Sequence, residues 1–485
     1  MFVSDNTTDK IFQYNLSTAY DITSASYSNL SFSVAGQDAT PSGIDFNSTG
    51  SKLFILGNSS NTVYQYSTVL STDTLDLSTG GVFNYTPTAS KTLKVSNPAA
   101  SGTNTGATLL MNGNDVAGIT GNFSTTLYTG TGSNLKINNG IDLSGDGGLF
   151  WAKRRGGTDP HWLVDTARGL NKSLGTSSPN AENTGTGQIV SFDSDGLTLG
   201  SSNQGQNYNG LSFVSWTFKK TPKFFDVVTY NGDGNAGKTI SHNLGSVPGM
   251  MIIKETNGAR NWAVYHRSLG ATKYLYLNTS DAEATHVSIW NDTAPTSSVF
   301  SVGTANNTNR NGGTYIAYLF AHDTTADSMI KCASYAGNGT ATNAINLGWT
   351  PQFVLLKESS NGAGGGQSWH LFDSARGAGT SGNDPYIRPN SAGDEQGSNI
   401  DNIDFTSTGF TLKRSDGAVN GSGDNYIYMA IRAPEVVSTT YDSSIKWSGG
   451  TAPTSPAVGE TDVITLDTTD GGTTYRAAHA IDGAK

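Results

Sequence analysis

One block of about a hundred residues is written three times along this chain. A chain of this kind must pack copies of one unit rather than build a single large core. The first copy carries Leu127-Tyr128-Thr129-Gly130, then Gly148-Leu149-Phe150-Trp151-Ala152-Lys153, then Asp165-Thr166-Ala167-Arg168-Gly169. The second carries Val228-Thr229-Tyr230, Met251-Ile252-Ile253-Lys254 and Trp262-Ala263-Val264-Tyr265-His266-Arg267. The third carries Ala333-Ser334-Tyr335, Val354-Leu355-Leu356-Lys357 and Trp369-His370-Leu371-Phe372-Asp373-Ser374-Ala375-Arg376-Gly377. Each copy closes on an apolar run: Phe213–Phe218, Tyr315–Phe320 and Tyr426–Ile431. The landmark tyrosines 128, 230 and 335 stand 102 and 105 positions apart. The frame predicts that Lys153, Lys254 and Lys357 occupy equivalent places near a strand end. Tandem repetition of one β module favours a structural or adhesive protein over an enzyme.

Short β-branched and aromatic runs, punctuated by Gly, Asn and Asp, predict an all-β chain. No amphipathic helix longer than two turns is visible. Charged residues make up 14%, below the usual quarter or so, and Gly reaches 59 of 485. Aromatics at 10% exclude the disordered class. The net charge of −10 argues against a phosphate-tracking surface, so nucleic acid is not an expected partner. Lys153-Arg154-Arg155 and Lys219-Lys220 are the dense basic spots. The single cysteine, Cys332, excludes an intrachain disulfide framework and reads as a buried, inert thiol. Met1 to Asp5 lacks the basic and apolar regions of a signal peptide, so none is expected. No run approaches the roughly 20 apolar residues of a membrane span, so no membrane insertion is expected.

The organisation follows from the repeats. Residues 1–80 hold a second repeat of period 52, in which Phe2-Val3 to Tyr14 aligns with Phe54-Ile55 to Tyr66. Its cadence is that of a propeller blade. About four or more blades are needed to close a propeller, and fewer than two are written here. Residues 81–125 read as an extended connector. Three β-sandwich modules are expected at 126–222, 223–327 and 328–436, and a small C-terminal β-module at 437–485. Unclosed blades leave open sheet edges, so a symmetric, obligate homo-oligomer is expected.

Five passages resemble virion proteins of marine bacteriophages of the tail-fibre-like kind. The blade-like Gly50-Ser51-Lys52-Leu53-Phe54-Ile55 with Val63-Tyr64-Gln65-Tyr66 is similar to their propeller-like repeats. Asn261-Trp262-Ala263-Val264-Tyr265-His266 to Asn278, Trp290-Asn291 to Ser301, and Phe192-Asp193-Ser194-Asp195-Gly196-Leu197-Thr198-Leu199 resemble a laminin-G-like or jelly-roll-like sandwich common there. Ile445-Lys446-Trp447 to Pro453 resembles their C-terminal β-module. The resemblance implies a trimer or another symmetric assembly in a virion, with other virion proteins and a host-surface glycan or receptor as partners. It implies no cofactor.

Candidate chemistry is weighed against folding. Gly232-Asp233-Gly234-Asn235-Ala236-Gly237-Lys238-Thr239 matches a phosphate-binding loop in form. That loop works only when it opens a helix, and Gly245 and Pro248 leave no room for one. Asn231, Asp233 and Asn235 resemble the start of a calcium loop, but His242 stands where a bidentate Glu is needed. A looser structural calcium site among Asp/Asn-rich turns stays open, with no ligands assigned. Asp165 with Arg168 and Asp373 with Arg376 recur at one place in two copies, which suits a turn-stabilising ion pair better than a unique active site. His161, His266 and His370 fall in separate modules. Trp151, Trp162, Trp262 and Trp369 read as core. Trp290, in a polar context, is the leading candidate for an exposed platform that stacks on sugar, followed by Tyr208 and Tyr386 in polar loops. No catalytic residue is assigned.

The expected function is a structural protein of a tailed-phage virion, a fibre or appendage subunit that contributes to host-surface attachment. The alternatives are a capsid decoration or head-fibre protein, and a fibre-borne glycan depolymerase. The last would need two carboxylates about 5–10 Å apart in a cleft.

Overall fold

The computed structural model describes residues 119–434, apart from 186, 202–204, 326, 361–365, 380–381 and 398. Elsewhere it describes the backbone of strands, with the side chains of 445–447 and 464. The chain is all-β, as expected, and divides into two compact units: residues 115–435, and residues 1–114 with 436–485.

In the first unit one topology is written three times. The first copy has a five-stranded sheet in the order Phe123–Thr129, Ser212–Lys219, Gly148–Arg154, Trp162–Asp165, Leu174–Gly175. Against it lies a small sheet of Leu135–Asn138, Gly196–Leu199 and Ile189–Asp193. The third copy repeats this with Ile330–Ala336, Asn425–Arg432, Pro351–Glu358, His370–Asp373 and Tyr386–Ile387, faced by Asn343–Asn346, Gly409–Leu412 and Ile403–Thr406. The second keeps the order with Phe225–Asn231, Thr314–Ala321, Pro248–Glu255, Ala263–His266 and Lys273–Tyr276, extended by Ala284–Thr285. Its small sheet is Lys238–Ser241 with Val299–Val302. Every pairing in these sheets is antiparallel.

The closing strand of each copy pairs on both sides, with the first and third strands. Its unbroken apolar run suits that central place, because both of its faces are covered. One face looks into the module's own sandwich. In the first copy Phe150, Ala152 and Val164 meet Ile137, Leu197 and Leu199 of the small sheet. The alternate residues, Leu149, Trp151, Leu163, Val214, Trp216 and Phe218, join a second core shared with the other copies. Phe218 lies 5.4 Å from Phe320 of the second copy and 6.2 Å from Phe353 of the third, measured between ring centres. Strand period two thus sends successive residues to two different cores.

The landmark tyrosines have a job in this frame. Tyr128 stacks on Phe213 at 5.2 Å, Tyr230 on Tyr315 at 5.0 Å, and Tyr335 on Tyr426 at 4.9 Å. Their hydroxyls donate to the carbonyls of Gln206, Thr308 and Val419, tying the loop that leads into each closing strand.

In the second unit, the period-52 repeat forms two hairpins of identical register: Phe2 faces Gln13, and Phe54 faces Gln65. Residues 81–125 and 437–485, read from sequence as a connector and a separate tail module, contribute strands to one sheet. Thr105–Asn112 pairs antiparallel with Thr461–Thr468 and parallel with Val82–Tyr85. The side chains of the blade-like segment and of most of the tail lie outside the described residues.

Candidate functional site: the junctions between modules

The three modules of the first unit touch in a closed cycle. The amide of Glu182 in the first donates to the carbonyl of Thr256 in the second at 2.8 Å. The amide of Glu283 in the second donates to Ser359 in the third at 2.9 Å. The amide of Glu395 in the third donates to Arg155 in the first at 2.7 Å. Each acceptor lies two residues beyond a landmark lysine, so the joint is built from the repeat itself.

Lys153, Lys254 and Lys357 do fall at equivalent places, each facing the second residue of the closing strand's apolar run: Val214, Ile316 and Ile427. All three are fully buried. Each ammonium donates to the next residue's carbonyl: Arg154 at 2.7 Å, Glu255 and Glu358 at 2.5 Å. Each also donates to a second carbonyl: Gly157 at 3.0 Å, Gly258 at 3.0 Å, and Ser280 of the neighbouring module at 3.3 Å. Burial pulls each of these lysines down to about 8.

The Asp–Arg pairs are joints as well. Asp165 accepts from the Arg168 guanidinium at 2.6 Å and from the Arg168 amide at 2.9 Å, capping a turn. Tyr318 of the second module donates to the same carboxylate at 2.8 Å. Burial opposes the charge on Arg168, but Asp165 outweighs it and the guanidinium stays protonated. Asp373 repeats the pattern with Arg376 at 2.6 Å. Here the outside donor is Trp216 of the first module at 3.0 Å, and Arg376 lies over its ring at 5.5 Å. In the second module His266 and Leu269 replace the pair, and the His266 ring bonds the carbonyl of Tyr428 in the third at 3.1 Å. Each corner therefore docks on the closing strand of the next module round the cycle.

Beside one joint lies an open cleft of about 580 Å³, between the first and second modules. Ala167, Arg168, Lys172, Ala181, Glu182 and Thr184 form one wall. Thr229, Tyr230, Asn231, Thr256, Asn257, Thr314 and Tyr315 form the other. Glu182 accepts from Arg168 at 2.9 Å and lies 3.9 Å from the half-exposed Lys172. The hydroxyl of Tyr315 is tied to the Asn306 carbonyl at 2.7 Å, and burial raises its pKa to about 12.

The residues singled out from sequence take other places. Trp290 is not a platform: it is 1% exposed, stands edge-on to Tyr265 at 5.8 Å, and donates to the Lys273 carbonyl at 3.1 Å. Its polar neighbours misled because His286 caps the single helical turn Val287–Trp290, which turns the indole inward. Tyr386 is also buried, packed on His370 and Phe372 with Arg388 over its ring at 5.3 Å. Tyr208 is half-buried. None of the three lines the cleft. The phosphate-loop lookalike is a hairpin whose amides are spoken for: Gly232 donates to Gly313, Asp233 to Asn309, and Gly237 to Val302. Cys332 is buried, with its thiol donating to the Ala321 carbonyl. Among the described residues no three His, Cys, Asp or Glu side chains are grouped to hold a metal ion.

Sequence reading missed Asn207, Asn309 and Asn420. Each is buried, and each accepts from a backbone amide of the loop after the first strand: Thr131, Asp233 and Asn338. Their recurrence in the loop before each closing strand was the available signal. The cleft had none, because its walls, drawn from residues 167–184 and 229–315, lie about 45 to 150 positions apart in the sequence.

Fold and site together define an all-β protein in which residues 115–435 form three sandwich modules joined in a cycle. Residues 120–434 match the family described as a domain of unknown function, DUF7483, and the chain belongs to that family. No curated protein matches the chain. A solved structure described as "Crystal Structure of the STIV MCP" aligns with 68% of this chain and 92% of its own at 8% identity. Its TM-score of 0.15 carries no argument about fold or role.

Proposed function

We propose that this chain is a structural subunit of a tailed-phage virion, part of a fibre or appendage, which binds a host-surface glycan or receptor without turning it over. Further copies of the chain and other virion proteins complete the assembly. The observation that carries this reading is where the reactive groups are spent. The Asp–Arg corners are held in joints between modules, and the three buried lysines, the other residues best suited to acid–base work, each donate to two backbone carbonyls beside those joints. Catalysis needs one converging constellation with a free partner for substrate, whereas a scaffold needs repeated, satisfied joints. The sequence resemblance to tail-fibre-like proteins supplies the setting.

Antibody raised against the purified chain and imaged on intact particles is the direct test. Labelled tail appendages are expected. Label spread over the head would replace the fibre by a capsid decoration, and unlabelled particles would sink the virion role. Incubation with host polysaccharide should release no new reducing ends; sustained release would make the protein a depolymerase.

A further inference from the structure

The three joints are alike in backbone but not in what stands beside them. At the third-to-first joint, Arg155 reaches across to Glu395 with two hydrogen bonds, of 2.9 and 2.8 Å. At the first-to-second joint the residue in the place of Arg155 is Thr256, whose side chain makes no bond to the Glu182 carboxylate and donates instead to the Thr314 carbonyl at 3.1 Å. The room that the arginine occupies at one joint is left open at the other, and the 580 Å³ cleft lies there.

The lining says what would fit. Arg168 and Lys172 are balanced by Glu182 and by Asp165 behind them, so the charged wall sums to zero. The facing wall offers Thr229 and Asn231, both exposed, as neutral donors and acceptors, beside the stacked pair of Tyr230 and Tyr315. The volume falls within the roughly 300–1,000 Å³ of pockets that hold a small ligand. A phosphate or sulfate ester would want unpaired cations, and a wholly apolar ligand would strip water from Lys172, Glu182, Thr229 and Asn231 without replacing its hydrogen bonds. A ligand dense in uncharged hydroxyls matches both sides.

We propose that the cleft between the first and second modules is a binding site for a short neutral oligosaccharide, and that Arg155 and Glu395 seal its counterpart at the third-to-first joint. The proposal deepens the host-surface reading above and relies on it only for the source of the sugar. Multiple copies in an assembly would turn one weak site per chain into useful avidity.

Purified full-length chain is screened by saturation-transfer NMR against neutral di- to tetrasaccharides of glucose, mannose and galactose, with sulfated oligosaccharide and inorganic phosphate as comparison probes. A neutral sugar should give signal. Thr256→Arg, which copies the Arg155–Glu395 seal, should weaken it at least tenfold while the thermal unfolding midpoint holds. Thr229→Arg, at an exposed position on the opposite wall, should do the same and stands in if Thr256→Arg fails to fold. Binding of only sulfated sugar or phosphate overturns the proposal. So does undiminished binding by either folded variant, or no neutral sugar bound at millimolar concentration. Failure to label the virion would leave these outcomes untouched, so the two readings can fail separately.

Discussion

Replacing Asp373 by Ala should cost the central unit about 3–5 kcal/mol, the range for breaking a fully buried ion pair from one side. The structure sets out what is lost. Asp373 and Arg376 are both fully buried at the side chain, and the carboxylate accepts three donors: the Arg376 guanidinium at 2.6 Å, the Arg376 amide at 2.9 Å and the Trp216 indole at 3.0 Å. The amide bond is a turn cap worth about 1 kcal/mol. The rest arises because Arg376 keeps only the Leu371 carbonyl, a long 3.4 Å contact with Glu395 and the face of Trp216. The chain also contains its own control, since the second module carries His266 and Leu269 at these places. Asp373→His with Arg376→Leu should therefore lose at least about 1 kcal/mol less than Asp373→Ala, because no charge is stranded. Guanidinium unfolding of the full chain, followed by tryptophan fluorescence, reads both. A single variant that loses under 1 kcal/mol, or a double variant that loses as much as the single, would refute the claim that this pair is a buried joint.

The three buried lysines predict a pH profile. Burial holds them at about 8, below the ordinary 10.5. Between those values the unfolded chain binds protons that the folded chain does not, so stability should rise with pH from about 8 to 10. Above pH 10 it should fall, because burial holds Tyr128, Tyr230, Tyr318 and Tyr335 above their ordinary 10.0 and only the unfolded tyrosines ionise. Denaturation midpoints at pH 7.5, 9, 10 and 11 check this, and a flat or falling course from 8 to 10 would contradict it. Trp290→Ala should destabilise by about 3–5 kcal/mol, as for a buried aromatic, and leave sugar binding by the intact fraction unchanged. A stable variant with lost binding would restore the platform that the fold denies.

The sequence by itself determined the all-β class, the repeating strands and the equivalence of Lys153, Lys254 and Lys357. Period-two patterning and the near-100-residue spacing are local records of burial and survive without coordinates. It also read Asp165–Arg168 and Asp373–Arg376 as structural from their recurrence. Tertiary structure alone decided that the modules close a cycle through Glu182, Glu283 and Glu395, and that the outward faces of their sheets share one core. An apolar face on a strand announces that it will be covered, not by which module. Burial of Trp290 was likewise decided by one helical turn set by a cap, which polar neighbours disguise. The cleft depends on whether residue 256, two places past a buried lysine, can span a gap to Glu182. That gap exists only once residues some 75 positions apart are brought face to face.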